Sequence, residues 1–109
     1  MLTIEEINKK YPMDRYEMTI KQEREFVKDL FELYESEGFA KVFWSMGGDF
    51  EEYHNKPFKV IGRSTEKECD LECLPMWKIQ FEDGEIIHAY PDEIIPSEMK
   101  ANGCPLELK

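Results

Sequence analysis

The chain has 109 residues, the size of one domain, and its 41% hydrophobic and 13% aromatic content suits a compact core rather than a disordered chain. Its net charge of -10 is spread out, with 6 basic against 10 acidic side chains in residues 1–38 and 8 against 14 in residues 39–109. Such a field repels phosphate backbones and anionic membranes, which argues against direct nucleic-acid or membrane binding, whereas it attracts a basic protein surface.

The first element in chain order is a short helix over residues 3–10. Thr3 and Glu6 have the spacing of a capping box, and Ile4 and Ile7 share one face. "MDRYEM" is read as a connector. A longer helix follows in "TIKQEREFVKDLFELYESEG". Thr19 and Gln22 repeat the capping spacing, Phe26, Val27, Leu30, Phe31, Leu33 and Tyr34 form one apolar stripe, and Gly38 supplies the stop. That stripe is expected to pack on the rest of the domain.

After Gly38 the period shortens. "FAKVFW" (Phe39 to Trp44) is aromatic and β-branched and predicts a strand. Gly47 and Gly48 predict a turn or wide loop, and "HNKP" a second turn in which Asn55 tolerates positive φ. "PFKVIGR" predicts the next strand and "STEKECDLECLP" a long polar loop.

"WKIQFEDGEIIHAY" predicts a hairpin, since Trp77, Ile79 and Phe81 alternate with Lys78 and Gln80 before an Asp-Gly turn. Two registers are open. A two-residue turn pairs Ile79 with His88 and buries the imidazole. A three-residue turn with a bulge at Gly84 pairs Ile79 with Ile87 and leaves His88 and Tyr90 outside. The second is preferred, because burying an unpaired histidine costs about 1–3 kcal/mol. "PDEIIP" predicts a single helical turn, and residues 97–109 a weakly periodic, loosely held tail.

The order "FAKVFW", "FKVIGR", strand–Asp-Gly–strand, "PDEII" resembles a small Src-homology-3-like barrel over about residues 39–96, preceded by two helices. The expected class is therefore α+β: one domain with a helical part (1–38), an antiparallel SH3-like β-barrel (39–96) and a C-terminal tail (97–109). The chain lacks the Ala-Leu-Tyr-Asp-Tyr opening of proline-peptide-binding members, so their groove residues do not carry over. The pattern is similar to that of short, uncharacterised acidic proteins of bacteria and phages, which implies no activity.

The chemistry-bearing residues are few. Cys69 and Cys73 form one C-x3-C, with Cys104 far on and His54 and His88 available. Zinc sites use two close ligand pairs, so reduced thiols are expected and neither a metal nor any other cofactor. "GGDFEEYH" gathers Asp49, Glu51, Glu52 and His54 in a spacing that fits no calcium loop. No nucleophile motif or phosphate cradle is present, which points away from an enzyme. The expected role is a non-enzymatic interaction module whose protein partner, preferably basic, docks on Trp44, Asp49, Phe50, Glu51, Glu52, Tyr53, His88 and Tyr90. Aromatic anchors with a charged rim are how interfaces are built. The alternatives are an acidic inhibitor mimicking nucleic-acid charge and a small metal-binding protein. No apolar run reaches membrane-span length, the first twelve residues lack the basic-then-apolar order of a signal peptide, and the cysteine count is odd, so a cytoplasmic setting is expected.

Overall fold

The computed structural model describes residues 2–11, 14–45 and 50–101. The protein is α+β. Two helices, α1 (Ile4–Lys10) and α2 (Ile20–Glu37), precede a three-stranded antiparallel sheet of β1 (Phe58–Arg63), β2 (Trp77–Phe81) and β3 (Ile86–Ala89). Two short helices follow, α3 (Pro91–Ile94) and α4 (Pro96–Ala101).

Both N-terminal helices begin as their sequences require. The Thr3 hydroxyl accepts from Glu6 N at 3.2 Å while the Glu6 carboxylate accepts from Thr3 N at 3.1 Å. Thr19 and Gln22 repeat the exchange at 3.1 and 2.9 Å. Each pair satisfies two amides that the helix itself leaves without partners. The buried side of α2 serves two clusters. Leu30 meets Ile7 and Tyr11 of the α1 segment. Val27 and Phe31 meet the main core of Phe43, Leu74, Met76, Trp77, Ile79, Phe81, Ile87, Ile94 and Ile95. Gly38 ends α2 at φ 88°, ψ 166°, so its φ is positive as a glycine stop requires, although its ψ lies outside the left-handed helical region.

Trp77 is the centre of the core. Its ring is edge-on to Phe31, Tyr34 and Phe39 at centroid distances of 5.1, 6.1 and 5.6 Å. Its indole N–H would be orphaned at this depth, but it donates to Glu35 Oε2 at 3.0 Å. The same carboxylate takes Arg63 through two bonds of 2.8 and 2.6 Å, and the Arg63 guanidinium lies over Phe31. One glutamate thus ties α2 to both β1 and β2.

The hairpin has the bulged register. Trp77 pairs with Ala89, Lys78 with His88, Ile79 with Ile87 and Gln80 with Ile86. Phe81 N donates to Glu85 O, and Gly84 takes φ 92° at the bulge. A second irregularity lies between Val60 and Gly62 in β1, where Ile61 is the extra residue and is 44% exposed.

Two expectations need correction. "FAKVFW" is not a strand, and among the described residues the sheet is open rather than a closed barrel. The segment is extended, but its amides reach carbonyls of two different segments. Ala40 N donates to Ile94 O, Phe43 N to Lys56 O and Trp44 N to Glu93 O, and Val42 makes one isolated bridge to Pro57. With the end of α3 taking two of these bonds, no ladder forms. The stretch read as a tail begins with α4, which buries Met99 fully against Ala40 and the partly buried Trp44.

Candidate functional site: an aromatic cavity with an acidic rim, and a separate thiol cluster

Asn55, at φ 66°, turns the chain between the short 3₁₀ turn Glu51–Tyr53 and β1. This reversal lays Tyr53 on the end of β2, where its ring stacks on Phe81 with centroids 4.1 Å apart and planes 12° apart. The Tyr53 hydroxyl donates to Asp83 Oδ2 at 2.8 Å, so the 3₁₀ turn is fastened to the hairpin turn. Asp83 Oδ1 in turn accepts from Glu85 N at 2.9 Å and shapes the bulge.

A cavity of about 290 Å3 opens beside this stack. Tyr53, Pro57 and Phe81 form its apolar side, and Glu52, Glu82, Asp83 and Lys56 its rim. A second depression of about 420 Å3 shares Pro57, Phe81 and Glu82 and continues along β1. The rim is electronegative. The Tyr53 phenol is pushed up to about 12 by its bond to Asp83, by burial and by the charges of Asp83, Glu85 and Glu52. Asp83 is held below the ordinary carboxylate value by the Glu85 amide and the Tyr53 hydroxyl.

Of the residues singled out in the sequence, Phe50, Glu51, Glu52 and Tyr53 fall on this side of the molecule. Phe50 is 37% exposed, and both glutamates are exposed. Asp49 lies outside the described residues. Trp44 touches the imidazole of His54 at 4.7 Å but is partly buried against Ala40 and Met99, so it is a weaker anchor than its size suggested. His54 Nδ1 accepts from Ser45 N at 3.1 Å, which gives that imidazole a turn-closing role. Phe81 and Asp83 completed the cavity although the sequence assigned them to core and turn; the signal was their position at the hairpin end that "HNKP" folds back upon.

His88 and Tyr90 belong to the other end of β2. His88 is on the outer sheet face, opposite Lys78, and is half-buried. Its Nδ1 shares a hydrogen bond of 2.6 Å with Ser64 Oγ, and Ser64 is 2% exposed. The loop between β1 and β2 is pinched at its base by Ser64 N donating to Met76 O. Arg15 clamps it to α2, with Nη2 donating to Leu71 O and Leu74 O at 2.6 Å each and Nε to Glu23 at 2.7 Å. The loop so held places Cys69 and Cys73 beside Met76 and Tyr90 on one open cavity. Burial pushes the Cys69 thiol up while Ser64 opposes the shift; burial and then Cys73 push the Tyr90 phenol up.

Among the described residues, no three His, Cys, Asp or Glu side chains converge as metal ligands. No helix there is long and apolar enough to cross a membrane. No known protein family, characterised protein or solved structure matches the chain.

Proposed function

We propose that the protein is a non-enzymatic interaction module of the cytoplasm that binds a basic segment of a partner protein in the Tyr53–Phe81 cavity. The observation that carries this reading is the pairing of an apolar floor with an acidic rim. Tyr53, Pro57 and Phe81 offer carbon surface, and Glu52, Glu82 and Asp83 surround it with negative charge. A lysine or arginine side chain meets both demands, because its stem covers apolar surface while its head reaches carboxylates. The neighbouring depression along β1 gives room for an extended chain to continue. The meander, bridged at Val42–Pro57 and followed by the α3 turn, is read as an opened form of the SH3-like arrangement, with the cavity at the mouth of the expected barrel.

Charge mimicry of nucleic acid has less support. Glu23, Asp29, Glu35, Glu66 and Glu68 are each ion-paired within the chain, so those carboxylates are not free to imitate a phosphate row.

Affinity capture from a lysate of the source cell, with the parent protein beside Phe50→Ala and the Glu52→Lys/Glu82→Lys double variant, tests the reading. A partner captured by the parent and lost from both variants supports it. A partner retained by both places the interface elsewhere.

A further inference from the structure

The groove changes its chemistry beyond the acidic rim. The depression along β1 meets the Tyr53–Phe81 cavity at Pro57, Phe81 and Glu82, and Lys59 and Gln80 line it further on. Lys59 is exposed, and among the described residues no carboxylate forms an ion pair with it. Glu82 is likewise unpaired there. Two opposite charges thus line one depression without meeting each other.

The sheet register sets their offset. Lys59 pairs with Gln80, and Glu82 stands two residues beyond Gln80. Two residues of extended chain span about 7 Å, and side chains two apart share a face. An extended partner has the same repeat. If one of its side chains brings a cation to Glu82 and Asp83, the side chain two positions along faces Lys59 and Gln80. A carboxylate suits that place. Lys59 supplies the opposite charge and the Gln80 side-chain amide supplies donors, since Gln80 Nε2 reaches Gly84 O only at 3.4 Å.

We propose that the groove reads an extended peptide with a basic and an acidic residue two positions apart, the basic one held by Glu82 and Asp83 and the acidic one by Lys59 and Gln80. This rests on the docking reading above and narrows its partner from a basic segment to one of alternating charge. The net charge of -10 acts in the opposite direction, because it favours a second cation over an anion. At 0.15 M salt that field is screened beyond about 8 Å, so the contacting charges decide.

The test is fluorescence anisotropy at 0.15 M salt with labelled peptides of one length and one alternating threonine–valine frame. They carry lysine–x–glutamate, glutamate–x–lysine, the same pairs with glutamine for glutamate, lysine–x–lysine, or lysine and glutamate side by side. In at least one order, glutamate two positions from lysine is expected to bind about two- to fivefold tighter than glutamine in its place, the scale of an exposed ion pair. Adjacent glutamate is expected to bring no gain, because neighbouring side chains point to opposite sides. Lys59→Gln, with circular dichroism matching the parent, should erase the gain, and Lys59→Glu should turn it into a preference for lysine–x–lysine. Equal binding of glutamate and glutamine peptides in both orders, or a gain that survives Lys59→Gln, would overturn the proposal. The docking reading still stands in that case if Glu52→Lys/Glu82→Lys weakens every lysine peptide. If that variant weakens none, the docking reading falls and the proposal with it.

Discussion

Tyr53 lies almost parallel to Phe81 with ring centroids 4.1 Å apart, and its hydroxyl is bonded to Asp83. Phe81 is only 4% exposed, so Tyr53 is at once the outer cover of the core and the inner wall of the cavity. The bond to Asp83 holds the phenol in its neutral form, since the phenolate would face a carboxylate. Tyr53 is therefore expected to titrate late, at about 12 rather than at 10.0. A group that keeps its proton better when folded contributes stability below its unfolded value and loses it as the pH rises through the folded value. Stability should thus fall between pH 10 and about 12. Phenolate absorbance checks the titration, and Asp83→Asn should return the Tyr53 midpoint toward its ordinary value.

Glu35 joins Trp77 and Arg63, and its removal should expose the cost of that node. Glu35→Ala leaves the indole N–H of Trp77, a residue 1% exposed, without an acceptor. An orphaned buried donor costs about 1–3 kcal/mol. Glu35→Gln keeps an acceptor and should lose less. Urea unfolding followed by tryptophan fluorescence measures both. The Arg63 guanidinium, followed by the Trp77 bond, holds the Glu35 carboxyl below its ordinary value against the effect of burial. Its contribution is present above the unfolded value of 4.5 and is lost as the pH falls below it.

The α3–α4 corner behaves in the opposite sense. Burial, then Asp92 and Glu37, raises Glu98, and burial, with a contribution from Asp92, raises Glu93. A carboxyl raised by folding makes the protein more stable as the pH falls toward its folded value and less stable as the pH rises through it. At neutral pH, Glu98→Gln should raise Tm, because it removes the charge near Glu37 and Asp92 while keeping an acceptor for the Tyr34 hydroxyl. Thermal melts of parent and variant across the acid range should converge as Glu98 becomes protonated.

Local chemistry was legible in the sequence and long-range bonding was not. Thr3 with Glu6 and Thr19 with Gln22 announce helix starts because the capping partners are three residues apart. The hairpin register followed from the cost of burying His88. By contrast, nothing near Ala40 or Trp44 reveals that their amides reach Ile94 and Glu93, so an extended, aromatic segment looked like a strand. Helix α4 was missed because six residues with one core side chain, Met99, show no period. In the candidate site, Tyr53 stood out as an exposed-loop aromatic. Its partner Phe81 was hidden in a core pattern, and Ser64 carried no signal of its bond to His88.

Gly38 offers a test of backbone rather than contact. At φ 88° and ψ 166° it occupies a region open to glycine alone, and a Cβ there would meet no atom within 4 Å. Gly38→Ala should therefore cost about 1–3 kcal/mol through the backbone only. Denaturant unfolding measures the loss, and an unchanged core, seen in the near-ultraviolet circular dichroism, would separate it from a packing defect.

The most direct test of the docking role is selection of a random peptide library on the immobilised protein, followed by affinity measurement of the enriched peptides. The expected result is enrichment of lysine and arginine beside apolar residues. Affinity should fall about tenfold or more in the Glu52→Lys/Glu82→Lys variant, in line with like charges set against a bound cation. It should rise a few-fold in Lys56→Ala, which removes the one cation among the described residues of the rim. Enriched peptides without a basic bias, or binding that is indifferent to all three rim charges, would contradict it.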